Sequence, residues 1–572
     1  MILQALYDYA QRKGNELPEE GFENIPIKYL IKIREDGSLV DLVSTEGEDK
    51  KAHIFEKLPM RVARSGKTPI PSLLLDNTEY VISDNNKRES FVKQIEALPE
   101  EIKKTKEINA VILFYRNNHE NGIDKISTCD LWERYQKENG IISFILQGRD
   151  SIIPQLNIIR EYQRKKTAEK IEGTGDPEKE MVKEICLITG KKEVISRLHA
   201  ATFIIGAKSN AKLVSFQKSS GYDSYGREQS YNAPVSVRAE SAYTKALNYL
   251  TRSKENKFRL GDDTIVFWAE KAEAASFESS FSAFFATDFD DPDRNTREVK
   301  NLFSAPYTAK LESVDSDFYV LGLSPNSARI SVRFWETGKV SKFAERIRQH
   351  FSDFEIIKSP NEPEYLHLYR ILTSIALERK IENIAPNLEG NMIQSILKGI
   401  PYPITLQQQC IRRIRAEQKV TRERAAILKA YINRLNRYKN NDEEVSVALD
   451  RACLNKGYLL GRLFAVFEKI QQDTHPGLNA TITDRFYGAA STNPTTVFTQ
   501  LMRLNRHHMS SYENQGLKIS REKEIGEIMN ALDSFPNHLD LTGQSYFALG
   551  YYHERQSFYS SSNKSENTEG DK

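Results

Sequence analysis

The stretch Phe318–Trp335, FYVLGLSPNSARISVRFW, leaves the chain little choice of local structure. Two runs, Phe318–Leu323 and Arg329–Trp335, flank a Ser-Pro-Asn-Ser-Ala loop, which predicts a β-hairpin. Pro325 fixes φ and Asn326 tolerates the left-handed region, so both supply turn chemistry. In the second run Ile330, Val332 and Phe334 alternate with Arg329, Ser331, Arg333 and Trp335, the period of a strand with one buried face. Arg329 and Arg333 then share the outer face. Guanidinium groups bind phosphate in bidentate fashion, so this face suits a nucleic acid or a neighbouring subunit. The charged side of an ordinary half-buried hairpin gives the same pattern.

The hairpin divides a strand-rich front from a helical back, which predicts an α+β fold: a mixed N-terminal and central region followed by an α-helical bundle. Tyr29–Arg34, Asp36-Gly37 and Leu39–Val43 read as an earlier hairpin, Asp-Gly being a strong two-residue turn signal. Residues 127–172 read as largely helical. Strands are expected at 184–189, 197–205, 211–216 and 264–268, and the acidic stretch 287–298 as a flexible excursion. A chain of 572 residues holds three or four domains at about 150 residues each. The expected divisions are 1–126, 127–345 with the hairpin, 346–440, and a helical bundle over 441–559. A polar tail, 560–572, is expected to be disordered.

Charge is informative only locally. The 81 basic and 79 acidic residues leave a net charge of +2, so any nucleic-acid surface must come from clustering. Two clusters stand out. Lys57–Tyr80, KLPMRVARSGKTPIPSLLLDNTEY, sets Arg61, Arg64 and Lys67 around Gly66, and such a loop can wrap N–H groups and cations round a phosphate; a solvated basic loop is the plainer reading. Leu406–Lys439 carries ten basic residues against Glu417 and Glu423. Its apolar residues recur at helical spacing, so the remainder predicts a basic stripe on one or two helices, the footprint of a polyanion site.

Catalytic chemistry is not apparent. Ser65-Gly66-Lys67-Thr68 resembles the end of a phosphate-binding loop, but residues 60–65 lack its first glycine. The acidic stretch from Asp288 has Asp293 and Val299 where a calcium loop needs Gly and Glu. Cys129, Cys186, Cys410 and Cys453 have no zinc spacing. His199 is the one histidine worth weighing as a general base. No catalytic residue, metal site or cofactor is expected. No run approaches the about 20 apolar residues of a membrane span, and the start lacks a signal-peptide pattern. The expectation is a cytoplasmic binding protein with no membrane partner.

Long stretches also resemble a known family. PMRVARSGKTPIPSLLLDNTEY (59–80), RLH (197–199), SYGREQSYNAPVS (224–236), ALNYL (246–250), the 318–335 hairpin, GRLFAVFEKIQ (461–471), YGAASTNPTTVF (487–498) and FALGYYHERQ (547–556) resemble the large subunit of the type I-C CRISPR surveillance complex (Cascade), the Csd-type proteins. Where that family commonly has Asn after a Pro, this chain has Pro71-Ser72.

The resemblance implies a subunit in antiviral defence that inspects duplex DNA for a protospacer-adjacent motif, helps open it and guides the displaced strand. Guide RNA pairing reads the sequence itself. Implied partners are guide RNA and backbone subunits, target double-stranded DNA, a recruited helicase-nuclease, and small-subunit copies translated from the chain's own C-terminal region, starting at Val445 or Val447, or else at Met392. On that reading Arg61, Arg64, Lys67 and Asn77 face the motif-proximal duplex, and Arg412, Arg413, Arg415, Lys419, Arg422 and Arg424 track the displaced strand. Arg329 and Arg333 contact nucleic acid or a subunit. Two alternatives remain: a metal-independent endoribonuclease using His199, and a scaffold that never touches the target.

Overall fold

A computed structural model describes residues 1–566 except 49, 65–67, 117–121, 139, 175–181, 209, 219–220, 222, 224, 286–291, 305–309, 312, 315 and 479, and leaves aside the side chains of 292–293 and 560–566. The fold is α+β, as expected. The chain forms two compact units, Met1–Ser253 with Ser324–Ser331, and Lys254–Leu323 with Val332–Lys572.

The first unit holds strands β1 (Phe22–Ile27), β2 (Tyr29–Ile33), β3 (Leu39–Ser44), β4 (His53–Pro59), β5 (Leu75–Asp76) and β6 (Ile142–Leu146). β1 pairs with β4, and the rest form a sheet in the order β3-β2-β6-β5. The Asp36-Gly37 turn closes β2 and β3: the Gly37 N–H donates to the Arg34 carbonyl at 3.0 Å, and Asp36 Oδ1 accepts from the Ser38 N–H at 2.9 Å. Gly37 has φ 78°, and a Cβ there would come within 2.6 Å of the Phe114 backbone nitrogen, so two separate constraints demand glycine.

Within 127–172, where helix is expected, the structure places β6, parallel to β2. Ile142 and Phe144 are fully buried, and an apolar run buried on both faces carries no period that separates strand from helix. A boundary at 126/127 would cut this sheet, so the domain division expected there does not hold. Of the strands expected at 184–189, 197–205 and 211–216, only the start of the first forms among the described residues, as β7 (Lys183–Ile185), and it pairs with β8 (Lys192–Val194), a strand that was not expected. The backbone at 200–203 is satisfied by side chains of the helix Val237–Arg252 instead: Asn248 accepts from the Phe203 N–H and donates to the Ala201 carbonyl, and Glu240 accepts from the Ala200 N–H. Those bonds replace a ladder.

The second unit begins with β9 (Lys257–Leu260), β10 (Asp263–Ala269) and most of β11 (Asp317–Asn326) and β12 (Arg329–Lys339), in the order β12-β11-β10-β9; the hairpin tip, Ser324–Ser331, belongs to the first unit. The central hairpin exists but is longer than expected. β11 runs through Pro325 and Asn326, and Ser327, not Asn326, takes the left-handed conformation at φ 57°. The β10 ladder ends at Thr264↔Leu323, so Pro325 lies beyond it and its missing N–H breaks no bond to β10. Ile330 and Phe334 are buried, but Val332 is 43% exposed; a branched side chain still suits a strand there.

Helices follow, among them Val340–Asp353, Leu388–Lys398, Ile404–Glu417, Arg422–Tyr438, Lys456–Thr474, Pro494–Ser510, Gln515–Ala531 and Leu541–Glu566. One apolar core runs from Phe258 to Tyr552, so no core boundary separates 346–440 from 441–559. Helices Lys456–Thr474 and Leu541–Glu566 cross at glycines: a Cβ on Gly461 would overlap the Phe547 carbonyl oxygen, and one on Gly550 that of Tyr458. Pro292–Phe303, in the stretch read as a flexible excursion, is helical. The last helix continues to Glu566, into the tail expected to be disordered, because extending a helix already nucleated in a bundle costs little.

Candidate nucleic-acid interface

The helix Val237–Arg252 is capped by Ser236, whose Oγ accepts from the Ala239 N–H at 3.2 Å. Its apolar face is buried in the first unit. Thr244, Lys245, Asn248, Tyr249 and Arg252 fall on another face at helical spacing and line a cleft of about 1000 Å³. Arg61, Arg64 and Asn77, from the loop singled out in the sequence, line the same cleft, with Lys208 and Lys212.

The loop arginines are not free charges. Arg61 is held by Glu23 through its backbone N–H at 2.7 Å, Nε at 2.9 Å and Nη2 at 3.0 Å. Burial alone would raise the Glu23 pKa, but the Arg61 charge and hydrogen bonds outweigh it and hold the carboxyl below its usual range. Arg64 pairs with Asp76, donates to the Ile70 carbonyl at 2.7 Å and stacks 3.9 Å from the Tyr80 ring centroid. Asp76 is itself buried and accepts from the Ser72 and Asn77 N–H groups. These arginines brace the loop, and their charge is spent internally. Lys67 lies outside the described residues. Asn77 heads the short helix Thr78–Val81 without capping it, and its Oδ1 is buried with no hydrogen-bond partner among the described residues.

Cations without an ion-pair partner among the described residues come from elsewhere. Lys212, Lys245 and Arg252 are half-buried, and among the described residues none has a carboxylate within ion-pair distance. Lys245 donates to the Pro18 carbonyl at 2.9 Å and Arg252 to that of Asn24. Burial pushes all three pKa values down; it is opposed by Glu240 and reinforced by Arg197 at Lys212, opposed by Glu20 and Glu240 at Lys245, and reinforced by Arg61 and opposed by Glu23 at Arg252. Lys208 is exposed at the same cleft. Sequence reading missed these four. The only hint was polar residues at 245, 248, 249 and 252 at helical spacing on one face of the helix Val237–Arg252.

The basic stripe predicted over 406–439 is divided. Arg412, Arg415 and Lys419 are exposed. Arg413 pairs with Glu417 one turn on. Arg422 and Arg424 are 4% and 1% exposed. Arg422 donates to the Pro363 and Glu364 carbonyls at 2.6 and 3.2 Å, and Arg424 to those of Ser374 and Lys419 at 3.0 and 2.9 Å, besides pairing with Glu417. Lys429 and Arg434 are buried as well. Helix Arg422–Tyr438 is enclosed over most of its circumference, so its cations tie down carbonyls and Asp353 instead of facing outward. This corrects the expected stripe: Arg422 and Arg424 hold the core.

In the hairpin Arg329 and Arg333 are exposed, Arg333 lying 3.7 Å from Asp263. His199 is 1% exposed, with Nδ1 2.5 Å from the Tyr243 hydroxyl, and burial first, then the Lys212 charge, lowers its pKa to about 4. It has no path to a substrate. Among the described residues no group of three or more His, Cys, Asp or Glu side chains can hold a metal, and no helix is long and apolar enough to cross a membrane.

Residues 3–559 match the family model described as CRISPR-associated protein (Cas_Csd1). No curated protein matches the chain.

Proposed function

The chain belongs to the Csd1 family of CRISPR-associated proteins, and we propose that it reads the protospacer-adjacent motif on duplex DNA, assists unwinding and R-loop formation, and guides the displaced strand. The observation that carries this is the cleft of the first unit: three half-buried cations without carboxylate partners, beside the braced loop of residues 59–80. A half-buried cation with only distant carboxylates and no direct ion pair is costly, and a phosphate backbone can supply that direct partner. Sequence is delegated to guide pairing, so the protein needs backbone contacts and only a few base contacts.

In this reading the protein works with guide RNA, backbone subunits and a recruited helicase-nuclease, and is itself not catalytic; the burial of His199 argues against the endoribonuclease alternative. Arg412, Arg415 and Lys419 are the cations left to follow the displaced strand. The core also bears on a separately translated small subunit. Helix Arg422–Tyr438 packs on Leu541–Glu566, and the Asn433 side chain both accepts from the Val445 N–H and donates to its carbonyl at 2.8 Å. A product starting at Val445 or Val447 would lose that helix and expose its apolar contact surface; one starting at Met392 would keep it.

The test is a gel shift of the reconstituted complex across a library of flanking motifs, with Lys212→Met and Lys245→Met beside the unaltered protein. Weaker target binding in both variants is expected. Unchanged affinity and unchanged motif preference would overturn the assignment.

A further inference from the structure

Away from the cleft, β7 and β8 form a two-stranded sheet of their own, in which Lys183 lies opposite Val194, Glu184 opposite Glu193 and Ile185 opposite Lys192. The Ile195 N–H donates to the Val182 carbonyl and the Cys186 N–H to that of Lys191, both at 2.9 Å. Even-numbered residues of β7 therefore bond toward β8, and by alternation the N–H and carbonyl groups of Lys183 and Ile185 point to the opposite edge. No described strand pairs there.

The side chains alternate as well. Cys186 and Ile188 are buried and Glu184 is half-buried, whereas Lys183, Ile185 and Leu187 turn outward. Ile185 and Leu187 are 66% and 55% exposed. One exposed apolar side chain is ordinary, but two at successive outward positions, beside an open strand edge, leave an unpartnered face. The helix Asn157–Glu172 covers only one end of it: a Cβ on Gly173, just past that helix, would lie 3.1 Å from Val194 and 3.2 Å from the Lys183 stem.

Charge selects the occupant. Lys183 and Lys192 share the outward face, and among the described residues neither has a carboxylate within ion-pair distance; Lys183 donates to the Glu172 carbonyl at 3.2 Å. The acids of the ribbon lie on its other face and are engaged, Glu184 by Arg227 and Glu193 by the Thr189 hydroxyl. Lysines on a bare edge turn most strands away. They admit an acidic one, because opposite charges facing each other across a strand pair attract. A nucleic acid would answer the lysines but leave Ile185 and Leu187 in water.

We infer that the open edge of β7 receives an extended, acidic and apolar segment of a partner protein. The segment adds a third strand to the ribbon, packs apolar side chains against Ile185 and Leu187, and sets an acidic one by Lys183 or Lys192. Main-chain hydrogen bonds supply affinity and alternate side chains supply specificity. The Pro234 carbonyl already takes the Leu187 N–H at 2.9 Å, so the added strand pairs with Lys183 and Ile185 and ends there. This rests on the reading that the chain works with backbone subunits, one of which provides the segment.

The experiment follows hydrogen exchange of the full chain by mass spectrometry: alone, with guide RNA alone, and assembled with guide RNA and backbone subunits. Peptides covering 183–192 should exchange more slowly only in the assembly. Ile185→Pro removes the outward N–H and spares the ladder to β8. Ile185→Thr keeps a branched strand former and removes the apolar contact, and Lys192→Glu reverses the charge. Each should weaken binding of the chain to the assembly about tenfold, the loss of roughly one good hydrogen bond or contact, without changing the melting temperature of the free chain. A formed assembly with no protection at 183–192 overturns the site and leaves the reading of the partners standing. Failure to assemble overturns that reading and the site with it. Protection by guide RNA alone makes RNA the occupant, and protection of the lone chain that grows with its concentration makes it a second copy; either overturns the inference, as does unchanged affinity in all three variants.

Discussion

Lys212→Met separates the binding role of the cleft from its structural role, because the two effects have opposite signs. Lys212 is half-buried, and its carbonyl accepts from the Ile330 N–H at 3.2 Å, a backbone bond the substitution leaves alone. No side-chain hydrogen bond to a described residue is at stake, and methionine keeps much of the aliphatic stem that packs. Burial, reinforced by Arg197 and only partly offset by Glu240, lowers the ammonium pKa. A lysine whose folded pKa lies below its unfolded value costs stability at every pH below that unfolded value, neutral pH included. Removing the charge should therefore stabilise the first unit. The same change removes a phosphate contact, so the slope of log K against log salt should flatten by about 0.9 on duplex DNA. The affinity gap between variant and parent should then narrow about threefold over a fourfold rise in salt. Urea unfolding and anisotropy titrations at several salt concentrations measure the two quantities. His199, whose pKa Lys212 helps to lower, should titrate higher in the variant by NMR. A destabilised variant with an unchanged salt slope would refute the reasoning, since Lys212 would then be a packing residue.

Three further outcomes are expected. Arg424→Ala strands the Ser374 and Lys419 carbonyls and leaves Glu417 with only Arg413; a loss of about 3 kcal/mol is expected, while Arg412→Ala should leave urea unfolding unchanged and reduce only single-strand binding. Burial, then Asp263 and Asp262, raises the Glu389 pKa from 4.5 to about 7. A carboxyl with a raised folded pKa adds a penalty absent below about pH 4.5 and complete above about pH 7, so stability should fall across that interval, and Glu389→Gln should flatten the fall in melts taken at successive pH values. Gly461→Ala drives a methyl into the Phe547 carbonyl oxygen; since backbone cannot move aside as a side chain can, a loss of about 3 kcal/mol or more is expected in urea unfolding.

Much of the fold was readable where local chemistry decided it. Asp36-Gly37 made its turn because the left-handed glycine is local, and the 318–335 hairpin was legible as a hairpin although Ser327, not Asn326, makes its turn and Val332 faces outward. The reading failed where a distant element decided. β6 is a strand because β2 and β5 lie on either side of it, and ISFIL has no period that announces this. The backbone at 200–203 stays irregular because Asn248 and Glu240, some forty residues on, take its hydrogen bonds.

The site failed to show itself for a related reason, and the hairpin illustrates it least and the basic helices most. Counting cations in a segment measures charge, whereas an anion responds to charge left uncompensated after folding. Arg61 and Arg64 look available in a Gly-containing loop, yet Glu23 lies 38 residues before one and Asp76 twelve after the other. Arg422 and Arg424 head a helix whose polar residues, read by period, ought to face water, yet carbonyls from neighbouring elements take them. Lys212, Lys245 and Arg252 sit in segments with ordinary charge density and are exceptional only because folding half-buries them without a direct ion-pair partner among the described residues. Burial raises the worth of a later ion pair as surely as it raises the cost of the unpaired charge. A cation that is half-buried and unpaired is therefore better placed to bind phosphate than one that is exposed and screened, and the three in the cleft should outweigh the ten in the helices, most of which are already answered or fully solvated.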